Sequence, residues 1–344
     1  MSDESFQTEI FPHPPSPFFK EYKKMIIYDG TPDKEPYKNV FGRVMEAIAK
    51  EDADVIYLDA DLMNSIGTHK FWKNNRAQAI NCGIAEADMV GIAAGLSAAG
   101  RKPYIHTFGP FASRRCFDQL FLSVGYAGNS VRVFGSDAGV TAAFNGGTHM
   151  PFEDMALLRA VPHSTVIEIS DGAMLESLMK QLKDRPGLSY VRLTRKAYDK
   201  VYSADHEFSI GKGEILRDGA DLTIIACGLM VGEAMKAAAE LERSGMKTRV
   251  VDMFTVKPLD AALVQKCAKE TGAILTAENH NVIGGLGDAV GAAVLESGIP
   301  CKFHKHGVHD EFGSVGPQDY LQSHYRLTAA ALVEEARRLL HFPA

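Results

Sequence analysis

A single acidic side chain, Glu86, stands at the start of a segment of small and apolar residues. The stretch runs Asn81-Cys-Gly-Ile-Ala-Glu86-Ala-Asp-Met-Val and continues at once with Gly-Ile-Ala-Ala-Gly-Leu-Ser-Ala-Ala-Gly100. This composition predicts an apolar helix from Glu86 to Ala99. A carboxyl group at its entrance is poorly solvated, which prepares it to exchange a proton or to hydrogen-bond a neutral heterocycle. The alternative is an ordinary first-turn residue that the helix dipole favours.

A pair of aromatic residues, Phe108 and Phe111, follows the next predicted strand in the run Phe108-Gly-Pro-Phe111. Flat rings can stack against a flat heterocycle and exclude water, so that a hydrogen bond from the heterocycle to Glu86 forms in a low dielectric. Ordinary core packing is the alternative for this pair.

Five separated motifs extend from this region towards the end of the chain. They are Gly83-Ile-Ala-Glu86, Thr107-Phe108-Gly-Pro-Phe111, Asn145-Gly-Gly-Thr-His149, Leu193-Thr-Arg195, and the late run Lys257-Pro-Leu-Asp260 with Ala277-Glu-Asn-His-Asn-Val-Ile-Gly-Gly-Leu-Gly287. With these motifs in family order, the chain from about Tyr37 to Leu340 resembles the C-terminal half of transketolase. That half comprises the pyrimidine-binding domain and the C-terminal domain of the family.

The resemblance implies thiamine diphosphate as the cofactor. Its aminopyrimidine must become the imino tautomer before it can deprotonate the thiazolium carbon, and a carboxylic acid against the ring nitrogen drives this change. By this likeness, Glu86 is the cofactor-activating acid and Asp61 lies close to the cofactor. Phe108 and Phe111 form the ring pocket. Arg114 stands where the family has a third aromatic ring, so the pocket is not an identical copy.

The resemblance also implies a sugar site. His149 matches the histidine that contacts the hydroxyls of the donor sugar. Lys38, Ser65 and Arg195 fall where the family grips a substrate phosphate, with Lys38 in place of an arginine. Arg195 suits this role because a guanidinium binds phosphate through paired hydrogen bonds.

Two further substrate positions depart from the family. Asn145 stands where an aspartate is usual, and Asp137 falls where an ungapped alignment expects a histidine at the phosphate end. A carboxylate near a phosphate dianion is repulsive. We therefore hypothesise a site adapted to a modified, branched or differently terminated sugar. The alternatives are that Asp137 only orients Lys38 or Arg195, or that a small alignment slip misplaces it.

The 344 residues lack the Gly-Asp-Gly motif through which the family holds the cofactor diphosphate and Mg²⁺. No metal ligands are therefore predicted in this chain, and His304, His306 and His309 are interpreted as surface residues. The expected arrangement is a split transketolase, in which a companion N-terminal subunit carries the diphosphate and Mg²⁺ site. Two copies of each subunit would complete the enzyme, because the family's cofactor lies between two chains.

The predicted activity is transfer of a two-carbon ketol unit from a ketose, or a ketose phosphate, to an aldose acceptor. Three alternatives stay open. The chain could act like deoxyxylulose-phosphate synthase, or like the β subunit of a 2-oxoacid dehydrogenase. It could also be a catalytically silent regulatory paralogue, for which Asn145 and Arg114 are the motivating departures.

Composition agrees with a cytoplasmic two-domain enzyme. A chain of 344 residues exceeds the roughly 250 to 300 at which one core usually divides. The net charge of −6 arises from well-mixed acids and bases, which makes nucleic acid an unexpected partner. Five scattered cysteines suit reduced thiols. Neither a signal peptide nor a membrane span is predicted.

Helical patterns alternate with short apolar runs along the chain, which predicts an α/β protein of two domains, each a mostly parallel sheet flanked by helices. The predicted division is an N-terminal arm at 1–36, a pyrimidine-binding domain at 37–200, a linker at 201–212 and a C-terminal-type domain at 213–344.

Overall fold

The structure is a computed structural model, and it describes residues 25–341. Most of the predicted arm therefore lies outside the described residues. Its last part runs along the surface and forms isolated bridges from Ile26 to Tyr202 and from Pro32 to Asp199. These bridges join the entry of the first domain to the segment that leaves it.

The first sheet has seven strands in the order β10-β5-β6-β4-β3-β1-β2. All pairings are parallel except that of β10 with β5. The strands are β1 (Val55–Asp59), β2 (Ala79–Asn81), β3 (Lys102–Phe108), β4 (Val131–Ser136), β5 (Thr165–Glu168), β6 (Leu188–Arg192) and β10 (Thr255–Lys257).

Helices cover both faces of this sheet. They are α1 (Tyr37–Glu51), α2 (Met63–Ile66), α3 (His69–Asn74), α4 (Glu86–Ala98), α5 (Phe117–Gln119), α6 (Asp154–Ala160) and α7 (Gly172–Gln181). The inner strands β1, β4, β5 and β6 are buried along their whole length, as expected for parallel strands between two helical layers.

The second sheet has five strands in the order β12-β11-β8-β9-β7, of which β7 is antiparallel to its neighbour. The strands are β7 (Glu214–Arg217), β8 (Leu222–Ala226), β9 (Thr248–Asp252), β11 (Ala273–Asn281) and β12 (Lys302–Val308). The helices are α8 (Leu229–Arg243), α9 (Ala261–Thr271), α10 (Leu286–Ser297), α11 (Gln318–His324) and α12 (Ala329–Leu340). The predicted α/β class with two mostly parallel sheets is confirmed.

The segment at 114–126, which follows the aromatic pair, is irregular. It begins as a 3₁₀ turn at Arg114–Cys116, passes through α5, and widens into a π-helix at Leu120–Tyr126. The Ser113 hydroxyl donates to the Gly109 carbonyl at 2.7 Å. A side chain that takes a backbone carbonyl in this way competes with regular helical hydrogen bonding. Arg114 and Arg115 both lie on this turn.

Strand β10 belongs to the second half of the sequence but pairs with β5 of the first sheet. The first sheet therefore takes one strand from beyond the predicted linker. Within residues 25–341, no helix has the length and apolar character needed to cross a membrane.

Candidate active site

The predicted site residues follow neighbouring parallel strands at one edge of the first sheet. Asp61 follows β1, Phe111 follows β3, Asp137 follows β4 and Arg195 follows β6. These four strands are consecutive neighbours in the sheet, in the order β6-β4-β3-β1, so their carboxyl ends lie at one edge. Such an edge is the usual place for a binding crevice in a parallel sheet.

Glu86 is the first residue of α4 and is only 1 % exposed. The Thr107 hydroxyl donates to its Oε1 at 3.0 Å. Nη1 of Arg115 donates to both carboxylate oxygens, at 3.1 and 3.0 Å. Glu86 is therefore a buried, hydrogen-bonded carboxylate and not a solvated first-turn residue.

Three rings form a box next to this carboxylate. The imidazole of His149 meets the Phe111 ring edge to face with centroids 5.0 Å apart, and the Phe108 ring with centroids 5.7 Å apart. The guanidinium of Arg115 covers Phe111 at 3.7 Å from the ring centroid. The predicted aromatic pocket and the predicted sugar-binding histidine thus belong to one cluster.

The loop that carries Asn145 and His149 is held by the second domain. A Cβ at Gly147 would collide with the carbonyl oxygen of Gly313, so the two backbones touch. Gly146 has a φ of 77°, which only glycine adopts freely. The double glycine before His149 therefore permits both the turn and the contact between domains.

Asp137 and Arg195 form a paired ion contact at the far end of the cluster. Nε and Nη2 of Arg195 donate to Oδ1 and Oδ2 of Asp137, both at 2.7 Å. Nδ2 of Asn145 lies 3.4 Å from the same carboxylate. The Arg195 guanidinium also lies 5.0 Å from the centre of the Phe108 ring, which links this pair to the aromatic box.

A cleft of about 370 Å³ opens beside this pair. Its lining residues are Pro36, Lys38, Asp137, Thr141, Arg195, Lys196 and Ala197. Ser65 lies on α2 and is not among these lining residues, although Gly67, just after α2, approaches Gly42 and Lys38 of α1 closely. A Cβ at Gly42 would collide with the Gly67 carbonyl, and one at Gly67 with the Lys38 carbonyl.

Two predicted cofactor contacts have other partners. Asp61 is exposed and accepts a hydrogen bond from Nδ2 of Asn81 at 2.8 Å. Nε of Arg114 pairs with Oε1 of Glu153 at 2.8 Å. Burial raises the pKa of Glu153, a second acid at Asp154 adds to the rise, and Arg114 opposes it. Arg114 therefore lies beside the aromatic box without covering Phe111.

Several supporting residues went unrecognised in the sequence. Arg115 was not predicted, although it directly follows Arg114. Asn279 of the second domain accepts from the Val140 amide and donates to the Ala138 carbonyl, both at 3.0 Å, and so holds the loop after Asp137. Asn279 lies within the late motif run, which was the available signal for it.

A buried arginine, Arg192, fastens the two domains behind the site. It donates to Asp154 at 2.8 Å and to Glu168 at 2.7 Å. Its Nη2 also donates to the Asn279 carbonyl at 2.7 Å. The side chains of Arg192, Asp154 and Glu168 are each at most 1 % exposed.

The donor set fits the flat aromatic part of the implied cofactor. Phe111 offers a flat face for such a ring, and the buried carboxylate of Glu86 in the same cluster would hold its edge. The described residues 25–341 contain no cluster of three or more His, Cys, Asp or Glu side chains that could hold a metal ion. The described part of the chain thus has residues that fit the aromatic ring, but it has no such cluster for Mg²⁺.

Family models match nearly all of the described chain. The pyrimidine binding domain of transketolase matches residues 33–200, and the transketolase C-terminal domain matches residues 211–332. The fold and these matches define a transketolase-type pair of domains, a pyrimidine-binding domain followed by a C-terminal domain. The chain belongs to the transketolase family, and the resemblance to its C-terminal half is confirmed.

Three curated relatives match over most of their own length. The 6-deoxy-6-sulfo-D-fructose transketolase subunit SqwH of Clostridium sp. (strain MSTE9) is 45 % identical over 85 % of this chain and 90 % of that protein. An apulose-4-phosphate transketolase subunit of Phocaeicola vulgatus is 36 % identical over 84 % of this chain and 92 % of that protein. A putative transketolase C-terminal section of Methanocaldococcus jannaschii is 34 % identical over 86 % and 93 %.

A solved structure agrees with these relatives. It is a split gene transketolase in the form of an inactive beta4 tetramer, with a TM-score of 0.81 and 36 % identity. The match covers 90 % of this chain and 99 % of that one.

Proposed function

We propose that this chain is the C-terminal subunit of a split, thiamine-diphosphate-dependent transketolase that moves a two-carbon ketol unit from a ketose to an aldose. The observation that carries the proposal is Glu86. It is a buried carboxylate with Thr107 beside it and the Phe111 ring within the same cluster. When bound, the cofactor would supply an electron sink for the carbanion of the transferred unit.

The residues of this chain have separate tasks in the proposal. Glu86 holds and moves a proton at the edge of the ring, and Thr107 orients its Oε1. Phe108 and Phe111 exclude water, which strengthens the hydrogen bond between Glu86 and the ring. His149 is aligned by both rings and by the Thr148 hydroxyl, 2.9 Å from its Nδ1, and would contact the donor hydroxyls.

A companion subunit is part of the proposal. It would supply the Gly-Asp-Gly motif, the Mg²⁺ ligands and the diphosphate contacts, none of which this sequence offers. Two copies of each subunit are the expected assembly. The relatives whose names call them subunits support this arrangement.

The proposed donor carries a terminal anion that differs from an ordinary sugar phosphate. Asp137 occupies the Nε edge of Arg195, which is the edge that would bind a phosphate through paired hydrogen bonds. The relative with 45 % identity is named for a sulfonated ketose, whose terminal group carries one negative charge and not two. A sulfonate-terminated ketose is therefore the first donor to test.

The deciding experiment combines the purified chain with its companion, thiamine diphosphate and Mg²⁺, and offers ketose donors with an aldose acceptor. We expect turnover by the pair and none by either subunit alone. Calorimetric titration of this chain alone with thiamine diphosphate and Mg²⁺ should release little or no heat. Tight binding by the isolated chain would contradict the split site, and a pair that turns over no ketose would favour the silent paralogue.

A further inference from the structure

The guanidinium of Arg115 makes the two contacts that the proposed function assigns to the aminopyrimidine ring. It is a flat group that lies 3.7 Å from the centre of the Phe111 ring. Its Nη1 donates to both oxygens of Glu86 at 3.1 and 3.0 Å. A guanidinium is flat like a nitrogen heterocycle and can stack on an aromatic face in the same way.

Arg115 and a cofactor ring cannot both occupy this place. Glu86 is 1 % exposed, and its Oε1 accepts from the Thr107 hydroxyl as well as from Arg115, so little room is left around its carboxylate. Arg115 itself is 43 % exposed and approaches from the solvent side. Its neighbour Arg114 is paired with Glu153 and does not share the contact. The Arg115 side chain can therefore withdraw into water without unfolding any helix or strand.

We propose that, in the absence of cofactor, the Arg115 side chain occupies the position beside Glu86 and over Phe111 that the cofactor ring would take. It must leave this position when the cofactor binds, so that Arg115 is a gate for cofactor loading. This inference rests on the proposed function. It gives Arg115 two effects. The side chain keeps the buried carboxylate of Glu86 paired in the unloaded chain, and it lowers the fraction of molecules that are open to the cofactor.

A gate has a kinetic signature that a direct cofactor contact lacks. If Arg115 only blocks the position of the ring, removing it raises the association rate and leaves the dissociation rate unchanged, because the bound state does not include the contact. If Arg115 instead held the bound cofactor, removing it would raise the dissociation rate. The two roles are thus separable by binding kinetics without any measurement of turnover.

The test uses the assembled complex of this chain with its companion and measures the binding of thiamine diphosphate with Mg²⁺ by stopped flow. The variants are Arg115→Ala and Arg115→Lys, and the matched control is Arg101→Ala, which removes an exposed arginine paired with Asp54. We expect thiamine diphosphate to associate roughly three- to thirty-fold faster with the Arg115→Ala complex than with the parent. This factor corresponds to the loss of a half-exposed ion pair and a cation–π contact. Arg115→Lys, which keeps the charge but cannot lie flat on Phe111, should fall between. Arg101→Ala should match the parent.

An unchanged association rate in both Arg115 variants, or a faster dissociation, would overturn the gate. Circular dichroism and the melting temperature of each complex identify a variant that has failed to fold, in which case Arg115→Lys alone decides. If the parent complex does not bind thiamine diphosphate at all, the proposed function fails. If parent and variants bind it with the same rates, only the gate fails.

Discussion

Asp137 holds Arg195 through two hydrogen bonds of 2.7 Å, with the carboxylate buried and the guanidinium partly open to the cleft. The pair has a structural consequence. Arg195 is fixed in one orientation, and its Nε edge is not free for a substrate anion. Asp137 adopts a φ of 62°, a conformation that aspartate tolerates better than most residues. The pairing that was one alternative for Asp137 is thus present, whereas its effect on substrate choice stays a prediction.

We predict that Asp137→His raises kcat/KM for a phosphate-terminated ketose. The change removes a carboxylate whose repulsion of a dianion amounts to roughly 1 to 4 kcal/mol, and it frees the Nε edge of Arg195. The gain should be smaller for a sulfonate-terminated ketose, which carries one charge. Steady-state kinetics of the reconstituted pair on xylulose 5-phosphate with ribose 5-phosphate measure the effect. High efficiency of the unmodified pair on these substrates would refute a diverged site.

Glu86→Gln should abolish turnover while folding and subunit association persist. The substitution removes a proton carrier but keeps the shape and a hydrogen-bonding partner for Thr107. Loss of general acid–base catalysis typically costs about 10² to 10⁴-fold in rate. The measurement is ketol transfer by the reconstituted pair, with size-exclusion chromatography to check assembly. Glu46→Gln, at an exposed position on α1, is the control. Near-normal turnover in Glu86→Gln would remove Glu86 from the mechanism.

Arg192→Met should destabilise the chain by about 3 to 5 kcal/mol, because it leaves Asp154 and Glu168 as buried charges without their cation. Loss of the hydrogen bond to the Asn279 carbonyl also loosens the junction between the domains. Urea unfolding of the isolated chain provides the free energy. The control is Arg243→Met, which breaks an exposed ion pair with Glu240 and should change stability by less than about 1 kcal/mol. Equal effects of the two substitutions would contradict the role of Arg192.

The contribution of Asp252 to stability should fall as pH rises from about 4 to 8. Burial raises the pKa of Asp252 from 3.8 to about 8, opposed by the hydrogen bond that the Tyr202 hydroxyl donates. Between these values the folded state keeps a proton that the unfolded state has lost. Raising the pH therefore favours unfolding, by up to about 1.4 kcal/mol per pH unit. Burial likewise raises the pKa of Glu278 to about 8, so it adds to the same slope.

Asp252→Asn should reduce this slope between pH 5 and 8, and the variant should exceed the parent in stability at pH 9. Glu278 preserves part of the slope in the variant. Urea titrations at several pH values measure both effects, and Asp205→Asn at an exposed position should leave the slope unchanged. Equal slopes in the parent and in Asp252→Asn would show that Asp252 is ionised in the fold.

The sequence by itself determined the class of fold and named several residues of the candidate site. Short apolar runs such as Leu222–Ala226 indicate strands that are buried between two helical layers. This burial can be predicted from the local sequence because it depends on the residues of the strand itself. Glu86 was recognisable because an acid at the entrance of an apolar helix is costly to bury unless it has a partner. The aromatic pair and the double glycine before His149 were recognisable because their residue types restrict geometry.

Only the tertiary structure decided which side chains meet. Arg115 pairs with Glu86 from 29 positions away, and Arg192 reaches a carbonyl 87 positions further along the chain. Neither contact leaves a periodic pattern, because each depends on strand ends that converge after the sheet has formed. The irregular turn at Arg114–Cys116 and the pairing of β10 with the first sheet were hidden for the same reason. Local sequence patterns record burial, whereas the partner of a buried charge is chosen by the packing of distant segments.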